Sequence, residues 1–124
     1  MDHSTGFLKL VHEAQPRVQE ITIDQLRSRL AANPQAILMD VREDNEWQKG
    51  HALQAIHLGK GILERDIEQR IPDTNAEIIM YCGGGYRSVL TADAAQKIGY
   101  RNVASLIGGY KGLVGVNWPM KKDS

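Results

Sequence analysis

Four short apolar runs constrain this chain more than any other feature: AILMDV at 36–41, AIHL at 55–58, EIIMYC at 77–82 and VASLIG at 103–108. The first is too short for an independent helix and continuous enough for a strand buried on both faces, and the others read in the same way. Helical patterns separate them. Thr22 with Gln25 three residues later forms a capping-box signal, and Ile23, Leu26 and Leu30 give the helix that follows one apolar face. A short extended piece precedes that helix. After the second run, Ile62, Leu63, Ile67 and Ile71 recur at helical spacing until Pro72 stops the pattern. After the third, a helix is predicted from Arg87 to Ile98, with Gly99 as its left-handed cap. After the fourth, GYKGLVG reads as a short helix or turn. Strands alternating with helices predict an α/β fold, a mainly parallel sheet covered by helices on both faces.

The 124 residues suffice for one domain with a single core. Residues 1–20 read as a loosely patterned extension with room for one amphipathic turn through Phe7, Leu8 and Val11. Residues 21–119 read as the domain, and 120–124 as a tail whose KKDS end is expected to fray. Fifteen basic and fifteen acidic side chains cancel, which argues against nucleic acid or an anionic membrane as a partner. Any bound anion must therefore be held locally. Asp2 and His3 stand where an export signal would be basic, and no apolar stretch is long enough to span a bilayer. The one cysteine, Cys82, forms no internal disulfide and builds no thiolate metal site alone. The expected setting is the cytoplasm, with neither a metal nor an organic cofactor.

Cys82 ends the third run and is followed by Gly83, Gly84, Gly85, Tyr86, Arg87 and Ser88. In open α/β sheets ligands gather beyond the carboxyl ends of strands, which is where this cysteine falls. Three glycines free the backbone to turn successive N–H groups toward one point, and the helix that follows adds unpaired amides and the positive end of its dipole. The nearest atom is the Cys82 sulfur, so the cradle is expected to favour its thiolate, with Arg87 adding a permanent positive charge. Such a cysteine is a nucleophile, and the same cradle would hold a persulfide or an oxyanion adduct.

The stretches ILMDVREDNEWQKGHALQAIHL, YCGGGYRS and SLIGGYKGL, in this order, resemble the rhodanese family of single-domain thiosulfate sulfurtransferases. The resemblance covers residues from about 21 to 119. It implies a five-stranded parallel sheet flanked by helices. It also implies a cycle in which Cys82 accepts sulfane sulfur as a persulfide and passes it to a thiophilic acceptor. The partners implied are a small sulfur donor such as thiosulfate and a cyanide, thiol or protein-thiol acceptor. A second reading is a sulfur carrier or regulatory protein-binding module. A third is a cysteine phosphatase or arsenate reductase, but cysteine-dependent phosphatases resembling this fold have a loop one residue longer than the six from Cys82 to Arg87. The chain departs from the commoner pattern at Ala52-Leu53-Gln54, where many members have a proline-glycine turn.

Each flanking residue has an expected role. The amides of Gly83 to Ser88 stabilise the sulfur. Tyr86 covers the pocket or faces solvent. Arg87 braces the loop or contacts the donor, and Ser88 caps the helix. Asp40 and Arg42 tie the neighbouring strand end to the loop, and Lys111 stands at the pocket rim or in solvent. His51 and His57 are expected to be structural, since a thiolate ionised by its loop needs no base.

Overall fold

Successive residues of each apolar run point to opposite faces of one sheet, so a run that is apolar throughout fills two cores at once. The computed structural model describes residues 3–122. The sheet holds β1 (Gln19–Ile21), β2 (Ile37–Asp40), β4 (Ile56–His57), β5 (Ile78–Tyr81) and β6 (Val103–Leu106). Their order is β1-β6-β5-β2-β4 and every pairing is parallel. All residues of the central β5 and of β6 are buried. Met39, Ile78, Met80 and Val103 feed one core, while Leu38, Ile79, Tyr81 and Ala104 feed the other. This is the five-stranded parallel sheet with helices on both faces that the sequence implied.

Helices α4 (Lys60–Arg70) and α5 (Arg87–Ile98) close the first core through Leu63, Ile67, Val89, Ala92 and Ala95. The second core is closed by α2 (Ile23–Ala32) through Leu26 and by α6 (Gly109–Gly115) through Leu113. The capping box of α2 forms as predicted: Gln25 N–H donates to Thr22 Oγ1 at 3.2 Å and Thr22 N–H donates to Gln25 Oε1 at 2.8 Å. Gly99 ends α5 with φ 133°. Two elements escaped the pattern reading because each is shorter than the window that reveals a period. They are the single-turn helix α3 (Asp44–Gln48) and an antiparallel pair, β3 (His51–Ala52) with β7 (Met120–Lys121). Lys121, expected to fray, pairs with His51 in that ladder; Asp123 and Ser124 lie outside the described residues.

The largest difference concerns the N-terminal extension. It forms a ten-residue helix, α1 (Thr5–Ala14), rather than one turn. Val11 and Ala14 are buried against the first core, and Phe7 packs at its edge. Phe7, Leu10, Val11 and Ala14 recur at helical spacing, so the segment carries a pattern longer than the single turn expected, and burial of Val11 and Ala14 stabilises it. A single 3-10 turn follows, and from it Arg17 sends a two-pronged guanidinium to Asp93 of α5, Nε to Oδ1 at 2.9 Å and Nη2 to Oδ2 at 2.8 Å. Gln96 donates to the Arg17 carbonyl at 2.8 Å.

Helix α6 sets the position of the chain leaving β5. Tyr110 N–H donates to the Cys82 carbonyl at 2.7 Å and Lys111 N–H donates to the Gly83 carbonyl at 3.1 Å. Gly109, at φ 53°, stands so close that a Cβ there would collide with the Cys82 carbonyl oxygen and lie 2.9 Å from the carbonyl carbon of Gly83. Gly109→Ala is therefore expected to lose about 2 kcal/mol or more in urea unfolding. Gly84→Ala, whose Cβ would meet nothing within 4 Å, is expected to stay within about 0.5 kcal/mol of the parent.

The Arg17 fork pulls the Asp93 carboxyl down to about 2, with Lys97 adding to the effect against the opposing influence of burial. A carboxyl depressed in the folded state stabilises the fold fully above its unfolded value and loses that contribution as pH falls through the folded value. The window runs from about pH 4 to about pH 2. Because Arg17 is half exposed, the contribution is about 1–2 kcal/mol. Arg17→Met is expected to have a lower urea midpoint at pH 6 and a shallower loss of midpoint between pH 4 and pH 2 than the parent.

Candidate active site

Cys82 follows the last residue of β5, at the carboxyl edge of the sheet and in its middle strand position. Because α6 takes the carbonyls of Cys82 and Gly83 on one side, the N–H groups of the following loop are turned to the other. Three polar groups, two of them backbone N–H donors, reach the sulfur. Gly85 N–H lies 3.1 Å from Sγ, Ser88 N–H 3.4 Å, and the Ser88 hydroxyl 3.5 Å. Gly85 attains this geometry at φ 105°, with the backbone of Gly108 and Leu106 within 3.3 Å of where a Cβ would be. Of the six loop amides expected to serve the sulfur, those of Gly85 and Ser88 make the contact.

Ser88 does not cap the helix. α5 begins at Arg87 after Tyr86, without a side-chain cap, and Ser88 lies one residue inside it, where its hydroxyl faces the protein interior. That hydroxyl is 2.7 Å from Ser105 Oγ on β6 and close to Cys82 Sγ. The helix begins two residues earlier than a Ser88 cap requires, which places the hydroxyl within hydrogen-bonding distance of the sulfur. Ser105 was not singled out from the sequence; an isolated serine in an apolar strand is the signal that points to it.

Arg87 lines the cleft and makes no hydrogen bond to a loop carbonyl among the described residues. Its two terminal nitrogens fork onto Glu46 of α3, Nη1 to Oε1 at 2.7 Å and Nη2 to Oε2 at 3.0 Å. The Arg87 guanidinium holds the Glu46 carboxyl below the usual carboxylate range; burial opposes this, and the Glu43 backbone N–H adds to it. Glu46 in turn raises Arg87, with the nearby Cys82 sulfur contributing. Forty-one residues separate the partners, so no local pattern announces the pair, although α3 lies inside the DNEWQ segment of the first motif.

Asp40 and Arg42 pair with each other at the carboxyl end of β2. Arg42 Nη2 reaches Asp40 Oδ2 at 2.8 Å and the Gly50 carbonyl at 2.6 Å, while its guanidinium stacks 4.0 Å over the Tyr110 ring. Both members of the pair are buried. They join the end of β2 to the turn before β3 and to α6, the helix that sets the loop. Tyr81 belongs to the same layer. Burial, helped by the Asp40 charge, pushes its phenol far above the usual range, so the hydroxyl stays neutral and accepts the Ala52 N–H at 3.1 Å. His51 is buried with Nδ1 2.8 Å from the Ala52 carbonyl, and its ring stacks on Trp47 at 3.4 Å; His57 Nε2 lies 2.8 Å from the Arg42 carbonyl. Both histidines are structural.

The sulfur, only 1% exposed, forms the floor of a cleft of about 490 Å³. Gly83, Gly84 and Arg87 line it beside the sulfur, with Glu46 behind Arg87 and Lys111 at the rim. Tyr86 joins the wall and remains exposed. The remaining wall is His3 and Phe7 of the N-terminal segment. Sequence reasoning gave these two no role. Among the described residues, no cluster of three or more His, Cys, Asp or Glu side chains is placed to hold a metal ion, and no helix is long and apolar enough to cross a membrane.

The family model for the rhodanese-like domain matches residues 22–115. A putative sulfur carrier protein, YrkF of Bacillus subtilis (strain 168), is 26% identical over 98 residues, 79% of this chain and 52% of its own length. The chain thus spans about half of that relative. A putative sulfurtransferase, YtwF of the same organism, is 29% identical over 86 residues, covering 69% of this chain and 82% of its own. Among solved structures, a protein of unknown function described as a possible tyrosine phosphatase, RPA3614 of Rhodopseudomonas palustris CGA009, superposes with a TM-score of 0.78 over 98% of each chain at 22% identity. At that identity the likeness shows the fold alone. With the family match running from the first residue before α2 to the last of α6, and with Cys82 in its glycine loop at the carboxyl edge of the parallel sheet, this chain belongs to the rhodanese-like domain family.

Proposed function

We propose that the protein is a sulfurtransferase that holds sulfane sulfur as a Cys82 persulfide between a small donor and a thiophilic acceptor: cyanide, a thiol or a protein thiol. The observation that carries the reading is the convergence of two backbone amides and one hydroxyl on Sγ at the floor of a cleft. Donors fixed by a folded backbone stabilise negative charge on sulfur without having to reorganise during the reaction. The relatives named as a sulfur carrier and a sulfurtransferase support the same chemistry. In the first half-reaction the Cys82 thiolate attacks the outer sulfur of the donor. A Cys82–S bond forms, the donor's S–S bond breaks, and its electron pair departs with the leaving group, sulfite when the donor is thiosulfate. In the second, the acceptor attacks the terminal sulfur and the electron pair returns to Cys82. Neither half needs a metal, an organic cofactor or a proton-transferring base, which accords with the structural placement of His51 and His57. The cytoplasm suits the reading, since a lone cysteine must remain a reduced thiol to begin the cycle.

Incubation with excess sulfane donor is expected to add one sulfur to the peptide that contains residue 82, and cyanide is expected to remove it. Cys82→Ser is expected to show no such gain. Parent protein unmodified by every sulfane donor would overturn the reading. Ser88→Ala removes the hydroxyl donor while keeping the residue's amide. It is expected to slow persulfide formation roughly fivefold, the equivalent of about 1 kcal/mol for one hydrogen bond, as read by single-turnover release of the leaving group.

A further inference from the structure

The reacting sulfur lies in the rhodanese-like domain, but one wall of its cleft comes from α1, which precedes the residues of the family match. Phe7 and His3 line the cleft beside Tyr86 of the loop. The His3 ring stands edge-on to Tyr86 at 4.6 Å between centroids and 5.5 Å from the ring of Phe7. Three rings thus form one continuous side of the space above Cys82. The side is anchored, because Val11 and Ala14 are buried, Arg17 forks onto Asp93, and Gln96 bonds the Arg17 carbonyl.

Size and charge point the same way. A volume of about 490 Å³ falls within the roughly 300–1,000 Å³ of sites for small organic ligands, far more than a five-atom inorganic anion fills. Both terminal nitrogens of Arg87 donate to Glu46, whose carboxylate offsets the guanidinium charge. Lys111 is the cleft-lining cation with no ion-pair partner among the described residues. Lys111 beside an aromatic wall matches a singly charged sulfur donor with an apolar body.

Resting on the sulfurtransferase reading, we propose that the α1 wall makes this site selective for organic sulfane donors, monoanionic thiosulfonates and persulfides with an aromatic or apolar body, over inorganic thiosulfate. Phe7 determines the specificity by contacting that body. Glu46 is a positioning residue that withholds Arg87 from the donor. With an organic thiosulfonate, Cys82 attacks the outer sulfur, the S–S bond breaks, and the electron pair leaves on the sulfinate. The sulfinate's organic group remains against Phe7 and Tyr86 until it departs.

Three donors separate body from charge. Thiosulfate is a dianion, methanethiosulfonate a monoanion with a methyl body, and benzenethiosulfonate a monoanion with a phenyl body. With cyanide as acceptor, kcat/KM is expected to rise in that order. Phe7→Ala is expected to lower the benzenethiosulfonate-to-methanethiosulfonate ratio of kcat/KM roughly tenfold, the scale of one lost aromatic pair. Glu46→Gln is expected to raise the thiosulfate-to-methanethiosulfonate ratio roughly three- to tenfold by releasing Arg87. A ratio measured on one preparation is independent of how much of the variant has folded. A phenyl-to-methyl ratio unchanged by Phe7→Ala overturns the wall, and a thiosulfate ratio unchanged by Glu46→Gln overturns the withholding of Arg87. If none of the three donors leaves sulfur on Cys82 of the parent, the sulfurtransferase reading itself has failed, an outcome distinct from either.

Discussion

The crossing of two backbone segments beside Cys82 governs the site. Gly109 lies against the carbonyls of Cys82 and Gly83 at a distance no side chain would permit, and the amides of Tyr110 and Lys111 occupy those carbonyls. With its acceptors engaged on the α6 side, the loop presents donors on the other, and Gly85 and Ser88 direct theirs at one sulfur. The convergence of donors on the sulfur is therefore a property of how two turns pack. It depends on β5 and β6 being adjacent parallel strands, because each turn follows one of them. The Arg42–Asp40 pair supports the arrangement from below, holding the guanidinium under Tyr110 so that the first residues of α6 stay in place. A buried pair of this kind is sensitive to loss of either partner, since the survivor would be left as an uncompensated charge.

The two arginines near the loop illustrate how burial and pairing divide labour. Arg42 is structural because its whole fork is consumed by Asp40, the Gly50 carbonyl and an aromatic face. Arg87 borders the cleft but is equally committed, its fork taken by Glu46. The positive charge close to Cys82 is thus matched by a carboxylate. At the sulfur itself lie directed hydrogen bonds, which act at short range, and Lys111 lines the same cleft.

The strands, the main helices and the loop were legible because each is carried by a local pattern: an apolar run, a 3.6-residue period, a cap or a glycine cluster. Cys82 and its cradle could be read for the same reason. What the sequence concealed depends on contacts between distant segments. Glu46 is paired with Arg87 across 41 positions. Ser88 was read as a cap because serine at a helix start usually is one, whereas the position of the first helical residue turns its hydroxyl inward to Ser105 and Cys82. α1 carries Phe7, Leu10, Val11 and Ala14 at helical spacing, so its length was legible; what the sequence concealed is that Val11 and Ala14 are buried on a core assembled by residues that follow.

The N-terminal helix joins fold and chemistry. It closes part of the first core, and the same packing carries Phe7 and His3 to the mouth of the cleft. The cleft thereby becomes a walled space above a single buried sulfur, suited to parking that atom's cargo between two encounters. The release of leaving group when donor is mixed with protein and every acceptor is withheld tests this most directly. Transient storage on Cys82 predicts a burst of about one equivalent per chain, followed by arrest. Release that begins only once acceptor is added would contradict it.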